Sequence, residues 1–243
     1  MSALYLKEIR SFLSSLMGYM IILVFLVTTS LFLWVFPTDF NIFDYGYANL
    51  DGLFIIAPFV FLFLVPALTM RSFADEKKSG TIELLYTRPL TDLQIILAKF
   101  LASFTLVFIA LLPTLIYYIT VYWLGLPQGN LDSGSIWGSY IGLLFLGAAF
   151  ASVGVFTSSV SENQVTSFVL AVIVSAFLYL GFEMIYSFDL FGNIDLLIRS
   201  LGISAHYGSI SRGVVDTRDV VYFLSVITLF IFLTKFSLAR RKW

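Results

Sequence analysis

Six stretches of this chain are apolar nearly throughout, and its polar residues gather in the gaps between them. The stretches are 17–36, 53–70, 100–124, 136–160, 165–188 and 220–238. The first four contain no charged residue, the fifth contains only Glu183 and the sixth only Lys235. A bilayer core is crossed by about 20 apolar residues in helical form, so each stretch is long enough to span. None shows the strict in–out alternation of a membrane barrel strand. The pattern therefore predicts an all-α polytopic membrane protein with six transmembrane helices.

Two polar segments carry patterns of their own. In residues 1–16, Tyr5, Ile9, Phe12, Leu13 and Leu16 recur at helical spacing, while Lys7, Arg10, Ser11 and Ser14 occupy the other face. That is the signature of an amphipathic helix lying in the membrane interface. It reads either as a plain basic anchor or as an elbow helix flanking the six-helix domain of residues 17–243. Residues 71–99 form an island of charge: Arg71, Asp75, Glu76, Lys77, Lys78, Glu83, Arg88, Asp92 and Lys99. Ser79-Gly80 breaks the helix leaving the second span, residues 81–86 make a short amphipathic helix, and Arg88-Pro89 ends it. Thr91 with Gln94 three residues later has capping-box spacing, so the third helix begins near Asp92. The island is either an ordinary solvated loop or a docking element for a partner.

Composition narrows the possibilities. Of the 243 residues, 59% are hydrophobic and 12% charged, with a mean hydropathy of +0.95; soluble domains sit nearer a quarter charged. With no cysteine, disulfides, thiolate metal sites and cysteine nucleophiles are excluded. A net charge of −1 gives no electrostatic footprint for nucleic acid. The N-terminal region lacks a short apolar run with a small-residue cleavage site, so no removable signal peptide is expected. Lys7, Arg10, Arg71, Lys77, Lys78, Arg88, Lys99, Lys235, Arg240, Arg241 and Lys242 all fall on one side of a six-span chain. The positive-inside rule then makes both termini cytoplasmic. Residues 189–219, with Arg199, Arg212 and Arg218, form a long outer loop whose short apolar groups suggest small interfacial or re-entrant helices, and Thr217 is the expected cap of the sixth helix.

Candidate chemistry is sparse. No HExxH, GxSxG or GxxxxGK[ST] motif occurs, and no span carries paired carboxylates; an enzyme is not expected, and no metal site is implied by the single His206. Glu183 reads as an anchor at the outer interface or as a residue of a substrate pathway or gate. Glu162, beside Asn163 and Gln164, marks the tight turn between spans four and five. Pro58, Pro66 and Pro113 each remove a backbone donor and invite a kink. Gly138, Gly142, Gly147, Ala151 and Gly154 give the fourth span a face of small residues suited to close helix packing.

The stretch GTIELLYTRPLTDLQIILAK resembles the cytoplasmic loop of ABC-2 type permeases, in which a Gly-Thr-x-Glu-x-Leu-Leu-x-x-Pro core precedes a Lys at the start of the third span. SISRGVVDTRDVVYFLSVITLFIFL is similar to that family's last outer segment and sixth helix. More narrowly, Phe32-Leu-Trp-Val-Phe, the Asp-Phe-Asn-Ile after it and Pro66-Ala-Leu-Thr-Met-Arg-Ser-Phe resemble gliding-motility-associated permeases of Bacteroidetes. Relatives often carry a proline in the elbow, where this chain has Leu16-Met17. The resemblance implies a permease half in a bacterial inner membrane. It would pair with a second permease half, itself or an accessory membrane subunit, and with a P-loop ATPase that binds the ATP and Mg. It also implies that residues 80–89 are the coupling helix, with Gly80, Arg88 and Pro89 at its ends and Thr81, Glu83, Leu84 and Leu85 on its contact face. Other cargo, such as drug-type export or metal or cofactor maturation, would use the same framework. A stand-alone secondary transporter or channel would need more polar groups at the bilayer midplane.

Overall fold

The computed structural model describes residues 1–44, 46–87, 89–189 and 192–239; the side chains of Leu84, Tyr86 and Asn193 also lie outside the described residues. Helix α1 (Ser2–Leu13) leads into α2 (Leu16–Trp34), the first span. The second span is α3 (Asp51–Thr69), followed by the short helices α4 (Ala74–Lys78) and α5 (Ile82–Tyr86). The third is α6 (Asp92–Leu111) with α7 (Leu115–Leu124), the fourth α8 (Ser133–Val160), and the fifth α9 (Gln164–Ala176) with α10 (Phe182–Ser187). Two small helices, α11 (Asp195–Ser200) and α12 (Ile203–Ile210), precede the sixth span, α13 (Thr217–Ala239). Among the described residues there are six helices long and apolar enough to cross a bilayer and no strand, in agreement with the sequence pattern.

The six are not equivalent. In the most apolar part of each, spans two, three and four are 67, 61 and 78% buried, whereas spans one, five and six are only 22, 17 and 22% buried. The middle three are therefore the core, and the others present an apolar face outward. Helix α8 is the axis, packed by α3, α6, α9, α12 and α13. Lipid tails are as apolar as leucine, so helices in a membrane associate through close fit. The glycines of α8 supply that fit. A Cβ at Gly147 would stand 2.6 Å from Val107 Cγ1, and one at Gly154 would overlap the Thr69 hydroxyl.

The three prolines do not all break their helices. Helix α3 runs unbroken through Pro58 and Pro66. Pro58 has no amide to give the Phe54 carbonyl four residues back; the Tyr207 hydroxyl of α12 donates to that carbonyl instead, at 2.7 Å. Pro113 does interrupt the third span, as a 3-10 turn over Leu112–Thr114, and the Tyr140 hydroxyl donates to the Thr114 carbonyl at 3.1 Å. The fifth span carries a feature the sequence pattern did not foretell, a turn of π-helix at Phe177–Gly181. Between α1 and α2 the bend needs no proline. Ser15 is extended at φ −93°, ψ 138°, and its hydroxyl accepts from the Gly18 amide at 3.1 Å. At the far end of the chain Thr217 does not cap α13. The Asp216 carboxylate does so, accepting from the Arg218 amide at 2.9 Å.

Candidate functional site

One end of the bundle carries α1, α4, α5, the α8–α9 turn and the end of α13; we call it the basic end. Its central piece is the segment between α3 and α6. Gly80 stops α4 in the left-handed region, at φ +69°, a conformation that glycine adopts without steric cost. Ser79 reinforces the stop by donating to the Asp75 carbonyl at 2.7 Å. Helix α5 follows for five residues. Thr91 then starts α6 with a reciprocal capping box, accepting from the Gln94 amide at 3.3 Å while the Gln94 side chain accepts from the Thr91 amide at 3.1 Å. Stop, short helix and restart therefore all follow from local sequence chemistry.

The residues singled out in this segment have different surroundings. Gly80, Thr81, Glu83 and Pro89 are exposed. Leu85 is buried in an apolar cluster whose other members include Leu4, Phe73, Ile95, Ile96, Val155 and Leu238. Leu84 belongs to α5, but its side chain lies outside the described residues, as does Arg88 altogether. Arg240, Arg241 and Lys242, counted for orientation, also lie outside them. Glu162 is exposed in the α8–α9 turn.

Polar contacts from distant parts of the chain hold the segment. The Ser158 hydroxyl accepts from the amides of Phe73 (2.9 Å) and Ala74 (3.1 Å) and donates to the Met70 carbonyl (3.0 Å). It thus satisfies donors at the start of α4 that the helix itself leaves open. Lys77 donates to the Ser159 carbonyl and Gln164 to the Asp75 carboxylate. Ser237 of α13 also donates to the Ser159 carbonyl, at 3.2 Å. Spans four, five and six are so tied to the connection between spans two and three.

At the foot of the third span lies a charge cluster that sequence reasoning missed. The Lys99 side chain is 1% exposed, with its ammonium 3.1 Å from Glu8 of α1 and 3.0 Å from Glu76 of α4. It also donates to the Ser72 carbonyl at 2.6 Å and stands 5.0 Å from the centre of the Phe73 ring. Among the described residues Glu76 Oε2 is buried without a hydrogen-bond partner. Lys7 is farther away, at 3.7 Å from Glu76 and 3.9 Å from Glu8, and its own side chain is 62% exposed. A signal was present: Glu8 falls four residues after Leu4 and four before Phe12, inside the stripe that α1 packs inward.

The opposite end is built otherwise. Glu183 is exposed and lines an open cavity of about 580 Å³ with Asp51, Arg212, Phe59, Tyr179 and Tyr207. Burial pushes the Tyr207 phenol well above its ordinary value. His206 meets Asp219 through Nδ1 at 2.7 Å and the Ser200 carbonyl through Nε2 at 2.8 Å, and it stacks on Tyr222 at 3.9 Å. The Arg218 amide holds the exposed Asp216 carboxylate below its usual range. No group of three or more potential metal ligands occurs among the described residues.

Set beside known proteins, residues 39–201 match the profile of a family described as ABC-2 family transporter proteins. The matched stretch begins after the first span and takes in α3 through α11. A search of curated proteins finds no match.

Proposed function

The chain belongs to the ABC-2 family of transporter proteins, and on that premise we propose that it is a permease half whose residues 80–89 receive a separate P-loop ATPase. Membership makes it a multi-pass transmembrane component of an ABC transporter. The finer reading is ours. The basic end is cytoplasmic, the membrane is the inner membrane of a bacterium, and ATP with Mg is bound and hydrolysed by the partner. The chain pairs with a second permease half, and the complex serves gliding motility, exporting a cargo or transmitting force across the membrane.

The observation that supports coupling most is the dual character of α5. Thr81 and Glu83 are exposed while Leu85 is seated in the cluster that joins α1, α6, α8 and α13. On this reading a push on the exposed face reaches the cluster through Leu85. Binding of nucleotide closes the ATPase pair, the segment is displaced, and the third span, which follows it directly, tilts.

The test is purification of the tagged chain from its native membrane in mild detergent, with mass spectrometry and an ATPase assay. A co-purifying P-loop ATPase that is lost when residues 80–89 become a Gly/Ser linker is the expected result. A chain recovered alone, with no nucleotide hydrolysis, would overturn the proposal.

A further inference from the structure

Lys99 is one cation between two carboxylates that come from different parts of the chain. Glu8 belongs to α1, Glu76 to α4, and Lys99 itself to α6. Its side chain is 1% exposed against 24% for Glu8 and 12% for Glu76, so solvent competes little for the ammonium. A buried charge must be paired, because taking it from water costs several kcal/mol per ion. Pairing here is possible only while α1, α4 and α6 stay together. Two further contacts run the same way: the Tyr5 hydroxyl lies 2.9 Å from that of Thr105 on α6, and Leu4 packs in the cluster that holds Leu85. Helix α1 is thus fastened to the segment carrying α4 and α5. The chain passes from it to the first span through the extended Ser15, with Phe12 packed against Gly18.

We infer that Lys99 and Glu8 are positioning residues that latch α1 to the 71–99 segment, so that α1, and the first span behind it, moves with that segment. The inference rests on the coupling reading for its role in transport, but the latch itself is a property of the resting protein. It adds a second output for the stroke beside the third span. Glu8 is the residue that isolates it. Losing Lys99 takes the enclosed cation from two acids, whereas losing the Glu8 charge leaves Lys99 paired with Glu76 and loosens α1, which keeps the exposed Lys7–Glu76 pair, Tyr5–Thr105 and Leu4.

The chain has no cysteine, so paired spin labels can be placed without background. Labels at Arg10→Cys on α1, Lys78→Cys on α4 and Val160→Cys at the end of α8, taken two at a time, report their separations in nanodiscs with the co-purified ATPase. Without nucleotide, the α1–α4 distance distribution should be narrow in the otherwise unaltered chain and with Lys99→Arg, and broad with Glu8→Gln. With a non-hydrolysable ATP analogue, α1 and α4 should shift together relative to α8, and Glu8→Gln should leave only α4 shifting. Stimulation of the ATPase in Glu8→Gln should fall about five- to tenfold, the lower end of what a typical coupling free energy gives, while the ATPase still co-purifies. An α1–α4 distribution in Glu8→Gln as narrow as in the parent chain would overturn the latch. An α4 that ignores nucleotide would overturn the coupling reading and the transmission with it; the nucleotide-free comparison would still decide the latch.

Discussion

Each end of this bundle buries charge, but the two ends pair it over different distances in the sequence: Lys99 is buried at one, Asp195 and Asp219 at the other. At the basic end charge is enclosed and shared between helices far apart in sequence: Lys99 serves Glu8 and Glu76, and Gln164 reaches Asp75. At the other end Asp51, Glu183 and Arg212 line an open cavity, and the buried Asp219 meets His206, a residue only 13 positions away. Enclosed, cross-linked charge makes several helices behave as one body. Charge on a cavity wall leaves the helices that carry it free to adjust. On the coupling we propose, a protein that receives a push at one end and opens at the other would be served by that division.

The sharpest way to break the comparison is to remove one charge at each end. Lys99→Met leaves two part-buried carboxylates without their enclosed cation and should cost about 3–5 kcal/mol of stability, read as a drop in the detergent denaturation midpoint. Glu183→Gln, at an exposed position, should stay within about 0.5 kcal/mol in the same assay. Equal losses would erase the distinction between the ends. Next in size is Ser158→Ala. It deprives the amides of Phe73 and Ala74 of their acceptor and should cost about 1–3 kcal/mol, with hydrogen exchange rising across α4 and not at the opposite end. Tyr207→Phe should cost about 1–2 kcal/mol, because the Phe54 carbonyl, already denied an amide by Pro58, loses its donor. The smallest effect concerns Asp216. Its lowered carboxyl favours the folded state at neutral pH, and that contribution disappears as the pH falls through the depressed value. Protection from hydrogen exchange at the first turn of α13, taken relative to the intrinsic rate at each pH, should therefore fall in acid, and should do so less in Asp216→Asn, whose side chain stays neutral throughout.

Much of the fold was legible because the signals were local. Apolar runs about as long as a bilayer is thick marked the six spans, and Ser79-Gly80, Thr91 and Gln94 marked where helices stop and start. What could not be read depended on partners distant in sequence. Pro58 and Pro113 look alike in the chain. One is absorbed and the other breaks its helix, in a fold where Tyr207 reaches the carbonyl that Pro58 leaves open. Leu85 read as part of an exposed contact face, and its burial depends on Leu4 and Leu238 arriving from the two ends of the chain. Lys99 was counted for its charge and for its place in a family motif. Nothing near it in sequence announced Glu8, 91 residues away. The π-turn at Phe177–Gly181 lies in an unbroken apolar run and left no mark there. The cap of the sixth helix is Asp216 and not Thr217, a shift of one residue between two residue types that both fill that position.

The central claim is that the exposed face of α5 is where an ATPase meets the membrane domain. A single cysteine at Glu83, the only one in the chain, can carry a photoactivatable cross-linker in native membranes, with and without ATP. The account predicts one adduct, to a P-loop ATPase, whose yield changes with nucleotide. Cross-links to lipid alone, or to a protein that binds no nucleotide, would contradict it.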